Sequence, residues 1–360
     1  MSDRSAGRSV AVKGQDAWQQ SPSLKEWGEL YDSAMKFKQA ECWNWMWDAD
    51  LFGVQNPESG EVGYCCVMGR GGEHFALGVY LGTEGLETYR KIQRDGNSLS
   101  LFDMVGLQKC LTASFEDRRY LSERDFNVIK ALSLKFRGHN AWPQFRSYLP
   151  GYAPWYLSKD EAKFLTVALL QVVDVALRFK DNPQMLNRLS KNQYLVRVAK
   201  KGQYGLEWSD EWMEPSFSEK KSVDIQPVDE HRLNKITSAN LRHSEIWETD
   251  LFYFPQAIWE KGQRPYYPRM MFIVDHFSGM VLGFHLAETE KWRDIIEVIL
   301  KTIENLKIVP EEMWVKREES LITLESITSN LKIKLKKVKS LPMLEIAQES
   351  FLGSIAGERF

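Results

Sequence analysis

Apolar positions along the chain alternate between two periods, and the alternation predicts a chain of α and β elements. A helix begins at the capping box Ser23-Leu24-Lys25-Glu26, with Leu24, Trp27, Leu30, Tyr31, Ala34 and Phe37 on one stripe. Period-two runs over 51–55, 62–68 and 75–81 predict three strands, punctuated by Asn56-Pro57-Glu58-Ser59-Gly60 and Gly69-Arg70-Gly71-Gly72. A helix over 84–93 closes this group. Residues 108–115 predict a fourth strand, Ser122 caps a helix over 123–134, and 135–138 reads as a short strand. A second capping box, Ser158-Lys159-Asp160-Glu161, opens a helix that is apolar on nearly every face through Leu177 and therefore central. Residues 194–200 and 206–213 predict a hairpin.

The second half repeats the grammar. Residues 247–254 read as a strand, 270–274 and 280–286 as a hairpin about Asp275-His276-Phe277-Ser278-Gly279, and Trp292, Ile295, Ile296, Ile299, Leu300 and Ile303 as one helical face. A short strand at Met313-Trp314-Val315, a helix over 320–331, a strand over 332–339 and a helix over 341–351 follow. The order strand, hairpin, strand, helix in 50–93 and again in 250–305 suggests an internal architectural repeat. Residues 214–229, polar and bounded by Pro215 and Pro227, mark the boundary between domains. The expected organisation is a mobile segment 1–20, an α/β domain 21–213, a linker 214–235 and a second domain 236–360. The fold class is α/β (α+β), two mixed sheets with flanking helices.

Two stretches remain open between core and contact. In Trp43-Asn44-Trp45-Met46-Trp47 a strand would place three indoles on one face, as an anchor between helix and sheet or as a stacking platform for a base or sugar. From Trp142 to Trp155, three prolines hold an extended, aromatic loop. With Arg137, Trp142, Arg146 and Trp155 it is either a ligand or anion site or a loop whose arginines pair with carboxylates. The lysines of 332–339 mark a solvated strand guarded against edge pairing, or a phosphate contact.

Composition narrows the classes. The chain has 360 residues, enough for two or three cores, and a formal net charge of −2, which supplies no global attraction to nucleic acid or an anionic membrane. The first fourteen residues lack an apolar leader segment, and the longest apolar run, 164–177, is too short to span a bilayer. Cys42, Cys65, Cys66 and Cys110 show no metal-ligand spacing and read as buried thiols of a cytoplasmic protein. No Walker, Rossmann, G-x-S-x-G or H-E-x-x-H pattern occurs. Gly69-Arg70-Gly71-Gly72 precedes a strand and lacks Lys-Ser/Thr, so it is a hairpin turn and not a phosphate cradle. His276 beside Asp275 has no nucleophile near it in sequence.

Trp247-Glu248-Thr249-Asp250 resembles the W-x-x-D first strand of the RNase H-like integrase and transposase catalytic core. Val274-Asp275-His276-Phe277-Ser278-Gly279 resembles its V-D-x-x-S hairpin, and 310–315 its Pro-led fourth strand. The resemblance covers about 105 residues. It implies an RNase H-like second domain and acids on the first strand, after the fourth strand and on the last helix, clustered to hold two Mg or Mn ions. Asp250 matches the first acid and Glu345 or Glu349 the last. Where the family has Asp-Asn-Gly, this chain has Lys316-Arg317-Glu318-Glu319, so a cation replaces the second acid unless Glu318 serves. The whole chain, over most of 24–350, also resembles a bacterial two-domain family of unknown function. That likeness rests on Gly78-Val79-Tyr80-Leu81-Gly82, Phe136-Arg137-Gly138, 142–147 and 150–155. The expected function is a non-catalytic binding protein with an unidentified protein or small-molecule partner, no cofactor, and 137–155 as contact region. The alternative is a divalent-metal nuclease or phosphodiesterase using Asp250, Glu318 and Glu345 or Glu349. The alternative requires these carboxylates to converge; Arg317 paired with Asp250 would remove it.

Overall fold

A computed structural model describes residues 21–96, 99–187, 190, 192–203, 205–216, 230–239, 241–287 and 292–357. The expected mobile segment 1–20 and the centre of the expected linker lie outside the described residues. The chain divides into two compact units. The first takes the residues through 218 together with Ile258–Tyr266, and the second takes the remainder. Ile258–Tyr266, inside the span 236–360, thus groups with the first unit.

The first unit runs α1 (Leu24–Ala40), β1 (Phe52–Gln55), β2 (Val62–Met68), β3 (Phe75–Leu81), α2 (Gly82–Asp95), α3 (Leu101–Met104), β4 (Cys110–Glu116), α4 (Glu123–Ala131), β5 (Trp142–Tyr148), α5 (Lys159–Asp181), β6 (Tyr194–Gly202) and β7 (Gly205–Met213). Both capping boxes form: Ser23 and Glu26 start α1, and Ser158 and Glu161 start α5. The sheet order is β5-β4-β3-β2-β1-β6-β7, antiparallel except where β1 meets β6. Strand alternation builds two cores from one sheet. Cys65, Val67, Leu77 and Val79 face α1 and α5, while Tyr64, Cys66, Tyr80 and Cys110 face α2. Gly63 admits α5 to the sheet, since a Cβ there would come within 2.8 Å of the Phe164 ring.

Three local expectations are corrected. Residues 43–47 are not a strand. Glu41 closes α1 in the left-handed region at φ 47°, and a 3-10 turn follows over Cys42–Asn44. The indoles consequently part: Trp43 enters the core, Trp45 donates Nε1–H to Ala176 O at 2.8 Å, and exposed Trp47 carries the Arg70 guanidinium 3.9 Å above its ring. Residues 135–138 form no strand, because Gly138 turns the chain at φ 102°. Trp142–Tyr148, expected as loop, is edge strand β5, where Pro143 costs no interior ladder bond.

The second unit runs α6 (Glu230–Ser238), β8 (Arg242–Tyr253), β9 (Arg269–Asp275), β10 (Val281–Ala287), α7 (Trp292–Leu306), β11 (Ile308–Val315), α8 (Glu318–Asn330), β12 (Lys334–Lys337) and α9 (Pro342–Gly357). Its sheet order is β10-β9-β8-β11-β12, antiparallel from β10 to β8 and parallel from β8 to β12. Three antiparallel strands, with the first central and followed by two parallel ones, is the RNase H-like arrangement. Trp247, Leu251, Ile273, Met313 and Val315 pack with α7 and α8 residues in one core. In both units the first strand pairs antiparallel with the second and parallel with a strand that follows a helix, β6 or β11.

Candidate functional site

Strand alternation sends Glu248 and Asp250 to one side of β8, opposite Trp247 and Leu251. Both acids are buried, at 0% and 2% exposure, so each must be paired to remain charged. Asp250 accepts a bond from the Arg317 guanidinium and another from Ser320 Oγ at 2.5 Å, both at the start of α8. Burial pushes its carboxyl above the usual carboxylate range, against the pull of Arg317 and Ser320. Parallel register explains the meeting. Trp314 lies opposite Glu248, so the chain leaving β11 reaches α8 beside Asp250.

Glu248 does different work. Its Oε2 accepts the Leu344 N–H in the first turn of α9 at 2.8 Å, and its Oε1 lies 2.5 Å from His276 Nδ1. A buried carboxylate is favoured at a helix N-terminus, where unpaired N–H groups concentrate positive partial charge. The His276 ring lies 4.6 Å from that of Trp314. His276 therefore serves Glu248 instead of its neighbour Asp275, which accepts from Ser278 N and Oγ and fastens the turn.

The carboxylates needed for two-ion chemistry do not converge. Glu318 pairs with Lys337, Glu345 with Lys316 at 3.2 Å, and Glu319 with Arg269 at 2.7 Å, while Glu349 is exposed on α9. Among the described residues no three of His, Cys, Asp and Glu gather to hold a metal ion. Asp250, Glu318 and Glu345, expected to converge in a Mg or Mn nuclease, each pair with a different cation: Arg317, Lys337 and Lys316 respectively. A small void beside Asp250, about 10 Å³ and so with room for roughly one water molecule, is lined by Thr249, Met271, Ile295 and Thr323 among others.

In the first unit the residues proposed for contact separate by role. Arg146 forms a bidentate pair with Asp125 at 2.9 and 2.7 Å and donates to Phe145 O at 2.7 Å. Burial opposes its charge, and the Asp125 carboxylate outweighs that and raises its pKa. Trp142 is wedged between Phe126 and Phe136, each 5.8 Å away. Arg137 is exposed. Trp155 bridges the backbone of Ser147 and meets Trp259 edge-on at 5.8 Å. Trp259 is 71% exposed, and Tyr152 is exposed as well.

The platform at Trp259 depends on Arg264, which is 2% exposed. Its guanidinium donates to Ala153 O at 3.1 Å, to Ser147 Oγ at 3.4 Å and to Ser147 O, and so holds Ile258–Tyr266 to the first unit. Sequence reasoning missed Glu248, Ser320, Trp259 and Arg264. For Glu248 a signal existed: two acids at i and i+2 in an otherwise apolar strand.

Residues 27–197 match a Domain of unknown function (DUF7309), and residues 232–352 match a second Domain of unknown function (DUF6930). No curated protein matches the chain. Among solved structures the chain is similar to the HTLV-2 integrase catalytic core domain in complex with magnesium. In the trimeric form the match has 18% identity, covers 31% of this chain and 68% of that one, and has a TM-score of 0.24; in the dimeric form the TM-score is 0.23. The RNase H-like assignment of the second unit rests on its strand order, and each unit contains a stretch that matches a domain of unknown function.

Proposed function

We propose that this chain is a non-catalytic binding protein of the cytoplasm, with a degenerate RNase H-like domain. The contact region is the aromatic surface of Tyr152, Trp155 and Trp259 with the neighbouring stretch from Arg137. The observation that carries the reading is the commitment of Asp250 to Arg317 and Ser320, which spends the first acid on holding α8 to β8. Four buried free cysteines suit a reducing compartment, and among the described residues no helix is long and apolar enough to cross a membrane. The partner is a protein or small molecule that covers aromatic surface. Near-zero net charge gives no support to nucleic acid.

Two measurements test this. In thermal-shift titrations with Mg²⁺ or Mn²⁺, wild type and Asp250→Asn are expected to respond alike. Saturable stabilisation present in wild type and lost in Asp250→Asn would restore the nuclease reading. In calorimetry with fractionated cell extract, heat seen with wild type is expected to vanish with Trp259→Ala; equal heats would remove this surface from consideration.

A further inference from the structure

Sheet edges are templates for further strands, and proteins guard them with charge, proline or cover. Among the described residues the two sheets have four edges, of which three are guarded. β12 carries Lys334, Lys336 and Lys337, and β7 carries Glu207, Asp210 and Glu211. On β5, Pro143 lacks a donor, Phe145 O is taken by Arg146, and Ser147 is bridged by Trp155. The fourth edge is β10, and Val281–Ala287 contains no Lys, Arg, Asp, Glu or Pro.

The outward surface of β10 is apolar. Phe284 lies opposite Phe272 and Leu286 opposite Met270, so both share the face on which Phe272 meets Phe351 of α9 at 5.7 Å. Gly283 points the other way, where a Cβ would come 2.6 Å from Thr302 Oγ1 of α7. Yet Phe284 is 64% exposed and Leu286 48%, because on this face α9, among the described residues, packs on β9 and β8 and not over β10. Met280 and Phe277 on the adjoining turn and Ile346 on α9 are also exposed, and Gly279 of that turn lies beside Met343 of α9.

We infer that β10 pairs with the β10 of a second copy of this chain, extending the sheet across a two-fold axis. Charge selects this occupant. Antiparallel self-pairing of Val281–Ala287 opposes no like charges, whereas β12 against itself would oppose lysines. Area agrees with it. Side chains of this size present roughly 150–200 Å² each, so at these exposures the five apolar residues named offer on the order of 500 Å². That lies toward the upper end of the roughly 300–600 Å² of the largest apolar patch on a typical monomer, and with the strand backbone it approaches the roughly 800 Å² per partner of a standard interface. The two-fold makes the surface its own complement.

Sedimentation equilibrium of the full chain, over a hundredfold dilution, tests the inference. Wild type is expected to dimerise reversibly. Phe284→Lys and Leu286→Lys should each raise the dissociation constant at least about tenfold with unchanged circular dichroism and melting. Leu206→Lys, at a comparably exposed apolar position on β7, should leave it unchanged. Hydrogen exchange should show β10 amides gaining protection with concentration. A wild type that stays monomeric, a dimer that survives Phe284→Lys, or β10 protection that appears only with a different protein would each overturn the proposal.

Discussion

Replacing Arg317 with methionine keeps the aliphatic stem and removes the cation from a fully buried carboxylate. Breaking a buried pair by deleting one partner costs roughly 3–5 kcal/mol, chiefly because the remaining charge is left uncompensated. The Arg317 side chain keeps a quarter of its surface in water, so the lower end applies, about 3 kcal/mol at neutral pH. In a domain of this size that lowers the melting temperature by roughly 10 °C. Ser320 Oγ still donates to Asp250 and softens the loss without cancelling it.

The pH dependence has a definite sign. Burial already pushes the Asp250 carboxyl up, so the folded chain takes its proton more readily than the unfolded chain. Stability from this group therefore falls as pH rises through the window from the unfolded value, about 4, to the raised folded value. Removing Arg317 takes away an opposing pull and widens that window upward. In calorimetric melts the deficit of Arg317→Met should accordingly be smaller at about pH 5 than at about pH 8. Asp250→Asn combined with Arg317→Met should recover most of it, with a coupling of at least about 2 kcal/mol. A single variant within about 1 kcal/mol of wild type and indifferent to pH would refute the assignment of Asp250 as a structural ion.

Other consequences are checked separately. Glu248→Gln should cost about 1–2 kcal/mol in urea unfolding, since α9 loses the charge at its first turn and His276 loses an ionised partner; a neutral result would remove Glu248 as the cap of α9. Arg264→Ala should destabilise the first unit by about 1–3 kcal/mol, because Ala153 O loses its guanidinium donor and Ser147 O keeps only the Trp155 N–H. It should also speed hydrogen exchange at Ser147 and Trp155, whose N–H groups bond each other's carbonyls at 2.8 and 2.9 Å; unchanged exchange would mean that Arg264 does not hold this segment. Burial pushes the Cys42, Cys66 and Cys110 thiols up to about 12, so a thiol reagent at neutral pH should label them only on unfolding; rapid labelling of the folded chain would contradict their burial.

Legibility in the sequence followed the range of the deciding interaction. Ser23 with Glu26 and Ser158 with Glu161 were readable because a capping box is complete within four residues. The strands and α7 of the second unit were readable because their periodicity reports the face that meets the core. Trp43 to Trp47 shared the period of a strand but had no strand to pair with, and a left-handed Glu41 decided the path. Trp142 to Tyr148 suggested a loop because Pro143 forbids an interior strand, and only its place at the sheet's edge permits the ladder it makes with β4.

The same argument applies to the chemistry. Asp250 was legible as an anomaly, a carboxylate inside an apolar strand, but an anomaly does not declare whether it reacts or supports. That depends on Arg317 and Ser320, 67 and 70 positions away, and on a parallel register no local pattern encodes. Glu248 and His276 meet across 28 positions and looked unrelated in the linear chain. The register decides the partner: Asp250 bonds Arg317 and Ser320, and those bonds join the start of α8 to β8.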